Sequence, residues 1–332
     1  MKRSYLLASA AALLLPAAAM AQDALGFNGT VTLSYSINNN DLADYNSLNL
    51  SLDSEVVFSP NFLVGFDLDA AMLDIDTSSP PIAAPGDVDL DWSRFALEPT
   101  YNFGNGFAAS LYYQSFEVDI SAPFIGPAIN IGTDIESYGI AGQYSRDNWY
   151  VGAYFGQSDT DPGLGPLGVD IDDFGLNAGI SLANGVDIYG QFARTSVSIV
   201  GAPSDLDFDL LAVGADYTFE NGLLLYGSIA RLGIDIPGGP GVDPTQLSIG
   251  VGYDLANLGS GIPAMAHFEI AHTNLDLPGP LPGGIDDNVT KFTVGINFAL
   301  GGGTVGVPLD SAARLATGEV RSALLTSLNG LF

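Results

Sequence analysis

The chain has 332 residues, with nine Lys and Arg against 38 Asp and Glu, two His and no Cys. Such an acid excess excludes nucleic acid as a partner, because phosphates demand Lys and Arg, and the lack of Cys excludes disulfides as the device that holds the fold. Mean hydropathy is positive at +0.27, yet no stretch after residue 21 is continuously apolar for the length a membrane-spanning helix needs.

Lys2 and Arg3 open the chain, Tyr5 to Leu15 form a short apolar run, and Ala19-Met20-Ala21 supplies small residues before Gln22. This is the three-part plan of a secretory signal peptide over residues 1–21. It holds two of the nine basic residues and none of the acidic ones, which leaves seven basic residues against 38 acidic ones. Export without a long apolar helix turns attention to strands.

From Phe27 the residues alternate: Phe27, Gly29, Val31, Leu33, Tyr35 and Ile37 on one parity, Thr30, Thr32, Ser34 and Ser36 on the other. Successive side chains of a strand point to opposite faces, so each such segment has one oily and one polar side. The pattern returns in Leu48 to Phe58, Phe62 to Met72, Phe95 to Phe103, Phe107 to Tyr113, Tyr138 to Tyr144 and Trp149 to Phe155. It continues in Phe174 to Leu182, Val186 to Phe192, Leu211 to Phe219, Leu223 to Ile229, Leu247 to Tyr253, Ile262 to Ile270 and Phe292 to Leu300. The reading gives about fourteen strands, bounded by 12 and 16 because Pro99 interrupts one of them.

The connections between these rows alternate in kind. Short turns fall at Ser59-Pro60-Asn61, Gly104-Asn105-Gly106, Ser145 to Asn148, Ala183-Asn184-Gly185, Glu220-Asn221-Gly222 and Ala256 to Gly261. Between them run long loops rich in Asp, Pro and Gly, at 38–46, 74–91, 119–134, 157–171, 198–208, 233–245 and 274–288. Residues 22–300 therefore read as an all-β, up-and-down antiparallel transmembrane β-barrel with short periplasmic turns and long extracellular loops. Phe58, Phe62, Tyr101, Phe103, Phe107, Tyr144, Trp149, Tyr217, Phe219 and Tyr253 flank the short turns on the outward parity, as an interfacial aromatic girdle does.

Residues 301–332 form a separate unit. Gly301-Gly302-Gly303 makes a hinge, Asp310 is placed to cap a helix from Ser311 to about Leu328, and Leu315, Val320, Leu324, Leu328 and Leu331 give it an apolar stripe weakened by Gly318. Three placements are open to it: docking at the periplasmic mouth, entry into the lumen, or a free tail. Periplasmic docking is the expectation.

The hairpin rhythm over residues 25–300 resembles the porins and related barrels of Gram-negative outer membranes, and so does the last strand, with Thr293, Gly295, Phe298 and Leu300. The resemblance implies a pore for passive diffusion of small hydrophilic solutes, made without a cofactor. It also implies the outer membrane as location, lipid and lipopolysaccharide as surroundings, a homotrimer among the assemblies allowed, and Thr293 to Leu300 as the signal read by the barrel-assembly machinery. The chain departs from the family by continuing beyond Leu300. It also has too few basic residues for an arginine ladder.

Parity assigns the expected pore lining: Asp67, Asp69, Arg94, Tyr112, Gln114, Tyr150, Tyr154, Asp173, Asn177, Asp187, Gln191, His267, Glu269 and Lys291, with Asp254 and Asn297 of the same parity. A water-filled passage lined by carboxylates favours cations, so a cation preference is expected against the plainer reading of a hydrated wall screened by salt. The third long loop is apolar at Pro123, Phe124, Ile125, Pro127 and Ile129. It either folds inward as a constriction or packs on the outer rim. Acidic clusters mark the long loops, and Asp87, Asp89 and Asp91 are candidate ligands for Ca²⁺, against a merely solvated anionic surface. Two non-pore readings stay open. One is a closed, adhesive barrel; the other is a barrel hydrolase using His267 and Glu269, which share the inward face.

Overall fold

The computed structural model describes residues 26–39, 44–76, 88–122, 129–161, 169–201, 204–259, 261–276, 288–301 and 303–326. The signal-peptide segment lies outside them. Fourteen strands follow in chain order: β1 (Gly26–Asn39), β2 (Asp44–Ser59), β3 (Phe62–Asp76), β4 (Val88–Asn102), β5 (Phe107–Ala122), β6 (Ile129–Arg146), β7 (Trp149–Asp161), β8 (Val169–Ser181), β9 (Val186–Ile199), β10 (Leu206–Thr218), β11 (Leu223–Asp235), β12 (Thr245–Asp254), β13 (Ala264–Asn274) and β14 (Asn288–Gly301). Each pairs antiparallel with the next, and β14 returns to β1, from Asn28↔Gly301 to Asn39↔Thr290. The sheet is a closed barrel without an edge.

Closure matters because lipid offers no hydrogen bonds to a strand edge, where each unsatisfied backbone group would cost several kcal/mol. The alternation read from the sequence becomes two surfaces. Outward side chains form an apolar belt: Leu111, Ile140 and Ile249 are 62%, 60% and 67% exposed. At the short-turn end the aromatics touch in series, with ring centroids 5.6 Å apart for Phe58–Phe62, 4.5 Å for Phe107–Tyr144, 5.5 Å for Tyr144–Trp149 and 4.4 Å for Tyr217–Phe219. Pro99 stays inside β4. It pairs with Val64 of β3, while the β5 register skips Glu98 and Pro99 between Leu97↔Tyr113 and Thr100↔Ser110. The missing N–H is thus absorbed by one gap in one ladder.

At the long-loop end the strands outrun the sequence-based bounds. β5 and β6 pair up to Ala122↔Ile129, inside the segment 119–134 expected to be loop. Ladder bonds come from the backbone, so pairing continues past the short alternating rows whatever the side chains are. Of the expected constriction residues, Pro123, Phe124, Ile125 and Pro127 lie outside the described residues, and Ile129 is the first residue of β6.

Inside the barrel, five tyrosines each stand directly across from a glycine: Tyr112↔Gly139, Tyr150↔Gly179, Tyr154↔Gly175, Tyr189↔Gly214 and Tyr226↔Gly250. A Cβ on any of these glycines would overlap the paired tyrosine ring or hydroxyl. The rings lie flat along the wall because the neighbouring strand offers bare backbone. Gly175→Val and Gly250→Val should each destabilise the barrel by about 1–3 kcal/mol through overpacking. A lowered urea midpoint for loss of the heat-modifiable band in SDS gels is the expected readout, with the outward Leu176→Val as control.

Candidate functional site: the barrel lumen and the segment inside it

A fourteen-strand wall is too wide for its own side chains to fill. Here the chain fills it with residues 303–326. Gly301 adopts a left-handed φ of 60°, and the backbone turns inward as Gly303 N donates to Leu300 O at 2.9 Å. The segment then climbs β1: Thr30 Oγ1 donates to Thr304 O at 3.2 Å, Leu309 N donates to Thr32 Oγ1 at 3.1 Å, and Ser34 bonds Asp310. It ends among Leu73, Trp92, Phe116 and Ile135, which pack on Leu325 in the long-loop half. The expected periplasmic docking is corrected: the segment lies in the lumen.

Three apolar clusters explain why. Ala313, Val305 and Val307 pack on Leu224, Tyr226 and Met265. Ala316 and Ala323 pack on Tyr112, Tyr154, Ala193, Leu210, Ala212 and Ala230. Leu325 completes the third cluster with Trp92 and Phe116, whose rings stack at 5.5 Å. These wall residues have inward parity and would face water in an empty pore, so covering them is favourable at about 25 cal/mol per Å². The expected single helix also breaks. Ser311, not Asp310, caps a 3₁₀ turn over Ala312–Ala316, and Gly318, at a φ of 80°, ends it. A short helical turn resumes at 323–326, with Leu325 N donating to Ser322 Oγ at 3.5 Å and Thr326 N to Ser322 O at 2.9 Å.

Polar anchors fix the register of the segment. Glu269 accepts from the Ser311 hydroxyl and from Ala312 N at 3.0 Å. His267 Nε2 lies 3.7 Å from Asp310 Oδ1. Asn177 donates to Thr317 O at 3.3 Å, and Gln114 brackets the chain by donating to Glu319 O at 3.3 Å and accepting from Arg321 N at 3.2 Å. Thr195 Oγ1 accepts from Ala323 N at 3.0 Å and Leu324 N at 3.3 Å while donating to the fully buried Asp173 at 2.5 Å. Asn297 receives a bond from Thr32 at 2.9 Å and donates to Gly306 O at 3.2 Å.

All fourteen expected lining residues sit on the inward face or are buried beneath the segment. The structure divides them into groups. Gln114, Asp173, Asn177, His267 and Glu269 hold the segment, and Tyr112 and Tyr154 pack on it. Asp67, Asp69, Arg94, Gln191 and Lys291 border a cavity beside it. Tyr150 and Asp187 stand near the short-turn end, Tyr150 over Gly179 and Asp187 across from Asp216. Asp254 instead caps the 3₁₀ turn Leu255–Leu258, accepting from Ala256 N at 2.9 Å. Arg94 and Asp69 form a buried ion pair, with Nε–Oδ2 at 2.8 Å.

Strand parity did not single out five charged residues that also reach the lumen. Asp53, Glu55 and Glu98 border the lumen, and Arg314 and Arg321 enter it from the tail. Arg321 bonds both oxygens of Glu98 at 2.9 and 3.0 Å and lies 5.6 Å from the Tyr154 ring. Arg314 reaches Asp53 at 3.3 Å and pairs with Glu319. The lumen is therefore richer in cations than the wall strands alone provide, because two arginines reach it from outside the barrel sequence, each tied to its own carboxylates. The sequence carried a signal for this: Leu73, Phe116, Leu210 and Leu224 break the polar inward parity of their strands.

Outside the lumen, Asp89 and Asp91 lie on β4, with Asp74 and Asp119 as cross-strand partners, and Asp87 is beyond the described residues. Among the described residues no group of three or more His, Cys, Asp or Glu is placed to hold a metal ion. On the closing strand Thr293 faces inward and shares a 2.8 Å hydrogen bond with Ser36, while Phe298 faces outward beside Val31. His272 also faces outward, 3.0 Å from Thr290 Oγ1.

A family model described as Gram-negative porin matches residues 65–200. Among solved structures the chain is similar to an anion-selective porin from Comamonas acidovorans, at 14% identity and a TM-score of 0.51, over 83% of this chain and 99% of that one. A TodX monoaromatic hydrocarbon channel mutant gives 10% identity and a TM-score of 0.51 over 84% and 91%. A FadL homologue from Pseudomonas aeruginosa gives 11% and 0.50 over 83% and 90%. At such identities the likeness is one of fold. No curated protein matches the chain by sequence.

The chain's lack of Cys makes an introduced thiol a unique reporter. Ala316→Cys, at a fully buried position, should resist a water-soluble maleimide in the folded protein and react after heat denaturation. Adding Glu269→Ala, which removes the acceptor for Ser311 and Ala312, should speed labelling. Rapid labelling of the single variant would place the segment outside the lumen.

Proposed function

We propose that this porin-like outer-membrane barrel is a non-enzymatic channel through which small hydrophilic solutes diffuse, with a preference for cations. One observation carries the reading. A closed wall with an apolar exterior encloses carboxylates that border two cavities beside the lumen segment, among them Asp53, Asp67, Asp69 and Glu98. Carboxylates at a low-dielectric wall stabilise a passing cation and repel an anion. The anion-selective porin it resembles in fold does not argue against this, because ionic preference lives in lining residues and not in the fold.

His267 and Glu269, the pair considered for proton transfer, are engaged with Asp310, Ser311 and Ala312. That use supports a positioning role over catalysis. The outward carboxylates at the long-loop end and the aromatics at the short-turn end suit opposite interfaces of the outer membrane.

A second reading, a closed barrel acting through its loops, is favoured by the segment that fills much of the lumen. Planar bilayers separate the two. The refolded, heat-modifiable protein should give small discrete conductance steps, and in a KCl gradient its reversal potential should take the sign of cation flow. Silent bilayers from properly folded protein would favour the closed barrel, and an anion-signed potential would refute the preference.

A further inference from the structure

Empty space remains beside the lumen segment. It forms two adjoining cavities, one between the segment and β1 to β4, the other between the segment and β2 to β4 and reaching Gln191 of β9 and Lys291 of β14. The larger, about 420 Å³, opens toward the short-turn end beside Asn28, Glu55, Thr100 and Thr304. The deeper, about 40 Å³, is bordered by Arg94, Lys291, Asp310 and Thr326. Asp53, Asp67 and Glu319 line both cavities and so mark their junction.

The charges at this junction are unevenly satisfied. Arg314 of the segment is paired with Asp53 of β2 and with Glu319. Further along the wall, Arg94 holds Asp69 and Arg321 holds Glu98. Asp67 has no ion pair among the described residues, although Arg94 and Arg314 are near enough to act on it through space. It is thus the one junction carboxylate without a directly bonded counter-charge. One side of the junction is built by the barrel and the other by the tail.

We propose that solute crosses the barrel through this slot beside the segment, and that Asp67, facing Arg314 of the lumen segment, is the residue that sets its preference for small inorganic cations. The tail is then a wall of the pore and not merely an obstruction. This inference rests on the channel reading above and deepens it. An incoming cation meets Asp67 as the available carboxylate, while Arg314 limits the attraction of Asp53 and Glu319 and narrows the gap between tail and β2. The deeper cavity, at about 40 Å³, is far too small for a sugar-sized solute.

The test uses the full chain in planar bilayers. Asp67→Asn should lower the cation-to-anion permeability ratio by roughly twofold or more, whereas Asp216→Asn, a carboxylate on β10 that borders neither cavity, should leave it unchanged. Arg314→Ala should raise both conductance and that ratio by about twofold, because it removes bulk and frees two carboxylates. In Asp67→Cys, a positively charged thiosulfonate reagent should cut the current and shift the reversal potential toward anions. Heat-modifiable mobility checks that each variant is folded. A conducting wild type with unaltered selectivity in Asp67→Asn and an unreactive Asp67→Cys would overturn the slot and leave the channel reading intact. Absence of current from every folded form would overturn the channel reading itself.

Discussion

A strand in lipid has nowhere to place its backbone N–H and C=O groups except on a neighbouring strand. Every other feature of this molecule follows from meeting that demand with fourteen strands and no edge. Closure between β1 and β14 fixes the circumference, the circumference fixes a lumen too wide for side chains to fill, and the lumen then requires an occupant or water. This chain supplies an occupant from its own residues 303–326. The interior is consequently organised as an interface between wall and segment, with apolar clusters and polar anchors as in any protein–protein contact.

The wall was highly legible in the sequence. Alternation such as Val31, Leu33, Tyr35 against Thr32, Ser34, Ser36 is direct, because period two is the geometry of a strand and lipid imposes the same choice on every outward position. The short turns were legible too: Gly104, Gly106, Gly185 and Gly222 sit at positive φ, where a glycine is the natural residue. Strand ends at the long-loop side were not, since backbone pairing continues past the alternating rows whatever the side chains are.

The site was only half legible, for a physical reason. Parity tells which side of the wall a residue faces, but it does not tell what lies against it. Gln114, Asp173, Asn177, His267 and Glu269 face inward as expected, yet they meet backbone and hydroxyl groups of the segment and not a column of water. Inward Phe116, Leu73 and Leu224 were the clue, because apolar residues on a wet wall make no sense unless something dry covers them. The broken helix of the tail hid its role further: Gly318 removes the regular stripe by which a docking helix is usually recognised.

The segment in the lumen is encoded after the last strand, and this ordering separates two kinds of genetic damage. A frameshift or premature stop just past Gly301 would remove Arg314, Arg321 and every apolar cover of the wall while leaving all fourteen strands and their closure encoded. Such an allele would be expected to insert and yet to leak, with Leu73, Phe116, Leu210 and Leu224 newly wetted. A missense change at Tyr154 or Gly175 would do the reverse, weakening the staves of the cask while sparing its stopper. Envelope permeability and protein abundance should therefore part company across an allelic series.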